Sequence, residues 1–357
     1  MMDFFRQIGY YCKESPGRAG CAARDQAKEM ALSERIVIMH QRVRPGSGKD
    51  EEDTLAQAAF VARTLKESGI RPSILTVDLN LRQAARRLNA LRPDIVFNLV
   101  ESLEGKGEFI HYAAGLLESL AIPFTGAPAR ALYASSHKLL AKEILRQAGI
   151  RTPDWFLAPS NGTRAESAFF PCIRKSIWEH ASLGMDDDAV ITKTQELTSH
   201  LTRNGFFYER FVDGREFNIA LLEEGGIPRA LPAVEIRFVD FPPDKPRIVG
   251  YRAKWEQESF EYINTVHRID FPDTDLPLLD ELGRTALACW DVFSLAGYAR
   301  VDFRVDGDGV PWVLEINANP CLMPDAGFYK TALRAGYDRR TLIRTLVDAA
   351  RAKTAKE

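Results

Sequence analysis

From Glu34 onward the apolar residues fall into a rhythm that few folds accommodate. The runs RIVIMH (35–40), SILTV (73–77) and DIVFNLV (94–100) are short and rich in β-branched residues, and stretches of helical period separate them. Those stretches are EDTLAQAAFVARTLKESG, closed by Gly69, NLRQAARRLNAL, stopped before Pro93, and GEFIHYAAGLLESL. Strand, helix, strand with such connections predicts a parallel sheet covered on both faces. Ligands of these sheets bind beyond the carboxyl ends of the strands. There RPGSGKDEED follows the first strand and NLVESLEGKGE the third, each readable as a substrate loop or as a solvated connection.

A second unit opens near Ala131 with the helix SSHKLLAKEILRQAG, closed by Gly149. Short strands follow in FFPCIRKS (169–176), GFFYERFV (205–212), REFNIALLE (215–223) and ALPAVEIRF (230–238), with turn formers between them. A third unit has a long helix from about Leu276 to Ala296, two strands and further helices. The expected organisation is an extension over 1–33, helical near Arg24 to Leu32, then an α/β domain over 34–130, a central α+β subdomain over 131–212 and a C-terminal α+β subdomain over 213–357.

Composition narrows the function classes. With 47 basic against 49 acidic residues, no overall field draws the chain to nucleic acid or to an anionic membrane. Five scattered cysteines without a C-x-x-C pair suit neither a disulfide framework nor a structural zinc site, and they point to the cytoplasm. No signal-peptide core and no apolar run of about 18 residues is found, so no membrane span is expected.

The segment YARVDFRVDGDGVPWVLEINANP (298–320) carries the most chemistry. A two-residue turn at Asp308-Gly309 predicts Asp302 facing Glu315 and Arg300 facing Asn317 on one face, with Val301, Phe303 and Val305 against Trp312, Leu314 and Ile316 on the other. Two carboxylates and an amide oxygen on one face repel unless a hard cation such as Mg²⁺ bridges them. A solvated Arg/Asp/Glu salt-bridge cluster is the other reading of that face. A second hairpin is expected in FFYERFVDGREFNIALL, where an Asp213-Gly214 turn would pair Phe211 with Glu216 and Glu209 with Asn218. The strand FPCIRK before it ends in Lys175. A lysine and two acidic faces are what a nucleoside triphosphate requires.

In order, VFNLVE, IPFTGA with the Ser136-His137-Lys138 helix, GIRTP, FPCIRK, YERFVDGREFN, YRAKW, YARVDF and LEINANP resemble the motifs of the ATP-grasp superfamily and, within it, the D-alanine:D-alanine ligase family. The resemblance implies an ATP-grasp fold in which a parallel α/β domain precedes two α+β subdomains enclosing ATP. It implies that Lys138 and Lys175 contact ATP phosphates, that Glu209 and Val212 line the adenine site, that Glu216 takes the ribose hydroxyls and that Lys254 approaches the γ-phosphate. Asp302, Glu315 and Asn317 would hold two Mg²⁺ ions, Mn²⁺ being an acceptable substitute, and Arg300 would stabilise an oxyanion beside a backbone N–H near Cys321. The partners so implied are a small-molecule carboxylate and an amine, with a second copy of the chain in a homodimer.

The chain departs from the family where substrate binds. The family's glycine-serine-serine loop reads Glu179-His180-Ala181-Ser182-Leu183-Gly184, with Ala181 at the first serine position and His180 at the glycine. Trp255 replaces the usual tyrosine after the lysine, and the run from Cys321 to Gly327 puts Ala326 at a serine position. The family's histidine loop is replaced by Glu101-Ser102-Leu103-Glu104. Nucleotide residues kept beside altered substrate residues predict an ADP-forming carboxylate–amine ligase that works through an acyl phosphate on a different amino acid or small peptide. A true D-alanine:D-alanine ligase, a phosphorylating or carboxylating enzyme and an ATP-binding regulatory protein are the alternatives. Segments 177–188 and 240–260 are expected to act as lids.

Overall fold

The computed structural model describes residues 34–44, 46–157, 169–178, 185–193 and 205–354. The expected extension over 1–33, its helix and the His180-Ala181-Ser182 loop lie outside them. Beyond Glu34 the chain forms one compact unit.

Strand β1 (Ile36–Gln41) leads into helix α1 (Lys49–Glu67), β2 (Ser73–Val77), α2 (Leu81–Leu91), β3 (Ile95–Asn98), α3 (Ile110–Ser119) and α4 (Ala129–Ser136). The three strands form a parallel sheet in the order β2-β1-β3, as the rhythm requires. All six residues of β1 are buried because both faces are covered. Val37 and Met39 pack on the side of Ala84 and Leu88 of α2. Ile36 and Ile38 face Val61 and Leu65 of α1 on the other.

The helix read as SSHKLLAKEILRQAG is two helices. His137 adopts an extended conformation after α4, and its Nδ1 accepts the N–H of Leu140 at 3.0 Å, capping α5 (Lys138–Gln147). Strands β4 (Trp155–Phe156), β5 (Cys172–Ser176), β6 (Val190–Ile191) and β7 (Phe206–Arg210) make an antiparallel sheet in the order β4-β7-β5-β6. Next come β8 (Arg215–Glu224), β9 (Ile227–Ala230), β10 (Val234–Phe238), α6 (Tyr251–Trp255), α7 (Phe260–Asn264), β11 (Thr265–Arg268), α8 (Leu276–Phe293), β12 (Tyr298–Val305), β13 (Pro311–Asn317), α9 (Gly327–Arg334) and α10 (Arg339–Thr354). Their sheet runs β11-β10-β8-β12-β13, with β9 beside β8. Helix α8 stops earlier than expected, at Ser294 in the left-handed conformation.

The expected hairpin between residues 205 and 223 does not form. β7 pairs with β4 and β5, whereas β8 pairs with β9, β10 and β12, so Glu209 and Asn218 stand in different sheets. Asp213-Gly214 is a crossing between sheets. Gly214 has φ +148°, and a Cβ there would lie 2.0 Å from the Val305 carbonyl oxygen, so the close approach of β12 requires glycine.

Candidate functional site

The three sheets enclose a cleft of about 880 Å³. Its base is the β12/β13 face, and its register is as expected: Arg300 opposite Asn317 and Asp302 opposite Glu315. The route to that register differs. The loop has three residues, with Gly309 at φ +80° and its N–H on the Asp306 carbonyl, while Asp306 and Val310 close the loop. The Asp306 carboxylate accepts the N–H groups of Asp308 and Val310 and the Trp312 indole N–H, at 3.1, 2.9 and 2.8 Å. The longer loop shifts the pairing by one residue, so Phe303 faces Val313. A bulge at Leu314 then restores the pairing of Asp302 with Glu315. Pro311 and Val313 therefore take the core face expected for Trp312 and Leu314, and Leu314 lines the cleft.

Arg300 donates to both oxygens of Asp302, at 2.7 and 2.8 Å, and Asn218 on the adjacent strand β8 donates to Asp302 Oδ1 at 2.7 Å. Burial works against the Arg300 charge, but Asp302 beside it outweighs burial and holds the guanidinium protonated. Asn317 Oδ1 accepts the N–H of Asn319 at 3.0 Å. Asp302, Glu315 and Asn317 thus offer oxygen donors alone from one sheet face, a set that fits a hard cation and suits no soft metal. Among the described residues no group of three or more His, Cys, Asp and Glu side chains gathers to hold a metal ion, and this face brings two carboxylates and one amide.

The second wall is cationic. Lys138, at the first position of α5, brings its Nζ to 3.9 Å from Glu315. Lys175 on β5 and Lys142 on α5 each place Nζ 2.6 Å from a different oxygen of Glu209. Burial pushes the Glu209 carboxyl up, but the two ammonium groups outweigh it and hold the carboxyl below its ordinary value. Lys142 also donates to Thr152 Oγ1 and to the Pro153 carbonyl, at 2.7 and 2.8 Å. Sequence reasoning missed Lys142, although its place beside Ala141 and Leu145 on the buried face of α5 is the signal. Glu216 pairs with Arg304 at 2.8 Å, and Val212 also lines the cleft.

The roof joins the described ends of the two expected lids. Tyr251 N–H donates to the Met185 carbonyl at 3.1 Å, and Lys245 binds both Asp187 and Glu261. Lys254 and Trp255 line the cleft from α6. The desolvating cleft lowers the Lys254 ammonium, helped by the Arg300 charge and opposed by Glu315, Asp302 and Glu216.

At the far end α1 meets the loop after β13. Cys321 Sγ lies 3.3 Å from Asp53 Oδ2, and Gln57 donates to Glu101 and accepts from Leu322 N–H. Burial, with the Asp53 and Glu101 charges, raises the Cys321 thiol well above its ordinary value, so it is no thiolate nucleophile. Glu51, Asp53 and Glu101 line the cleft, whereas Glu104 turns to Arg44 on an exposed face. Ala326 and Gly327 line it at the start of α9. The structure therefore gathers every expected site residue within the described range around one cleft, and adds Lys142, Asn218, Arg304, His267 and Lys330.

A family model described as the D-ala D-ala ligase C-terminus matches residues 144–348. A D-alanine–D-alanine ligase of Aquifex aeolicus is 29% identical over 306 residues, covering 85% of this chain and 97% of its own length. An uncharacterized protein of Sinorhizobium fredii is 27% identical over 309 residues, covering 82% and 87%. Among solved structures, D-alanine–D-alanine ligase from Bacillus anthracis complexed with ATP aligns with a TM-score of 0.69 at 22% identity, covering 91% of this chain and 99% of that one. The D-alanine–D-alanine ligase of Coxiella burnetii aligns with a TM-score of 0.66 at 20% identity, covering 91% and 96%.

Proposed function

The chain belongs to the D-alanine–D-alanine ligase family of the ATP-grasp superfamily, and from that membership we propose that this ATP-dependent ligase joins a carboxylate and an amine other than the D-alanine pair. A carboxylate oxygen attacks the γ-phosphorus of ATP, ADP departs, and the acyl phosphate is then attacked by the amine, which loses a proton as phosphate leaves and the amide forms. Lys138 and Lys175 neutralise phosphate oxygens, Glu209 and Val212 border the adenine, Glu216 takes the ribose hydroxyls and Lys254 meets the γ-phosphate. Arg300, held rigidly by Asp302, receives the charge that builds on the carbonyl oxygen in the tetrahedral intermediate. Asp302, Glu315 and Asn317 would hold the two Mg²⁺ ions, which when bound neutralise charge on the transferring phosphoryl group.

One observation carries the substrate difference. Trp255 and Ala326 line the same cleft as Arg300 and Glu315, so the hydroxyls missing at these positions are missing from the reaction chamber. A pocket that loses hydrogen-bonding groups loses selectivity for the ligand that used them.

Incubation with ATP, Mg²⁺ and a panel of amino acids and dipeptides, read by phosphate release and product mass, tests the proposal. The expected result is an amide product with kcat/KM higher for some pair than for D-alanine with itself. Failure of every pair to release phosphate would remove the ligase reading, and preference for D-alanine would remove the substrate difference. Glu315→Gln should lower phosphate release by about 100-fold or more, with the circular dichroism spectrum unchanged. A fully active variant would sink the metal assignment.

A further inference from the structure

We propose that Arg304 is a positioning residue for the nucleotide, fixing the Glu216 carboxylate so that the site selects ribonucleotides over deoxyribonucleotides. The proposal rests on the ligase reading, which gives Glu216 the ribose, and adds the residue that makes that contact selective.

The strand register lays two rows of side chains across the floor of the cleft. One runs from Asn218 through Asp302 to Glu315 and is the metal face. The other runs from Ile236 on β10 through Glu216 on β8 to Arg304 on β12. On β8 and on β12 the rows are two residues apart, so they share a face and stand about 7 Å from one another. All six residues line the cleft. A step of that length suits phosphate on the one row and ribose on the other.

Arg304 is only 3% exposed, too deep to act as a solvated counter-charge. Its Nη1 donates to the Gly214 carbonyl at 3.1 Å, and its Nη2 donates to the Arg247 carbonyl and lies 2.8 Å from Glu216 Oε2. The rings of Phe211 and Phe238 lie 5.8 and 5.4 Å from the guanidinium carbon. These contacts hold the planar fork in one orientation. The ion pair in turn fixes the carboxylate through Oε2 and leaves Oε1 to accept a ribose hydroxyl. The charge of Glu216 also reaches the Lys254 ammonium. Without Arg304, that ammonium would draw the carboxylate away from the ribose.

ADP, 2′-deoxy-ADP and 3′-deoxy-ADP, each titrated calorimetrically into the full chain with Mg²⁺, test this. In the wild type at least one deoxynucleotide should bind about 10-fold or more weakly than ADP. In Arg304→Met the ADP affinity should fall to the deoxynucleotide level while the deoxynucleotide affinity stays, so that the ratio collapses toward unity. Arg304→Lys, which keeps a cation opposite Glu216, should retain part of the ratio. Glu216→Gln should show the same low ratio, and adding Arg304→Met to it should change nothing further. An unchanged or larger ratio in Arg304→Met, equal affinities in the wild type, or a further loss in the double variant overturns the proposal. So does an equal loss for all three nucleotides in Arg304→Met, the mark of a merely structural role. A wild type that binds none of the three would defeat the nucleotide reading and this proposal with it, whereas ribose selectivity indifferent to Arg304 would defeat the Arg304 assignment alone.

Discussion

Glu209 is a buried carboxylate shared by two ammonium groups, Lys142 and Lys175, each 2.6 Å away. Removing the carboxylate would leave two ammonium groups uncompensated away from water, which costs more than the pairs contributed. Glu209→Gln should therefore lower unfolding stability by about 3 to 5 kcal/mol, read from the midpoint of urea denaturation. Adding Lys142→Met to Glu209→Gln takes away one of the two unpaired charges and should recover part of the loss, and a double variant no better than the single would refute the coupling. His267 supplies a second residue-scale prediction. Its folded pKa, about 4, lies below the unfolded value near 6.5, so the unfolded chain binds the extra proton between these limits. Its contribution is present above about pH 6.5 and is lost as pH falls toward 4. Because the side chain is partly exposed, screening keeps the effect within about 1 kcal/mol. The midpoint of His267→Gln should then fall less steeply than the wild type's between pH 7 and 5, and parallel curves would refute the shift.

Among elements, the two Asp-Gly dipeptides part company. Both read as hairpin turns in the sequence, yet Asp308-Gly309 belongs to a three-residue loop and Asp213-Gly214 carries the chain from one sheet to another. Local residue type specifies a change of direction, whereas the partner of the next strand depends on residues far away. The metal-face register was legible because Asp302, Glu315, Arg300 and Asn317 alternate with buried Val301, Phe303 and Ile316, and a slip would bury charge. The bulge at Leu314 was not legible, since no residue type there announces it. Gly214→Ala should cost at least about 3 kcal/mol, because the added methyl meets the Val305 backbone and φ is unfavourable. Gly309→Ala, with nothing within 4 Å, should cost only about 1 kcal/mol. Equal losses in urea denaturation would refute the close-approach argument.

Across the whole molecule, the cleft is bounded by side chains from all three sheets, from Glu101 after the parallel sheet to Lys175 and Asp302 in the other two. A nucleotide bound there stabilises the folded chain by mass action, by about 2.7 kcal/mol at a hundred times its Kd. Thermal denaturation should therefore shift upward with ATP and Mg²⁺ in a concentration-dependent way, and Lys175→Met should reduce the shift. A wild-type melting curve indifferent to ATP would remove the nucleotide site. The sequence by itself determined the parallel sheet, the helices that alternate with its strands and the chemical identity of the carboxylate face, because periodicity and turn chemistry act over a few residues. Only the tertiary structure decided that β7 and β8 enter different sheets, that Lys142 shares Glu209 with Lys175, and that His267 meets Lys330 across the cleft. Such pairings join residues up to 67 positions apart, as Lys142 and Glu209 are, and the side chains that meet are set by how sheets and helices pack.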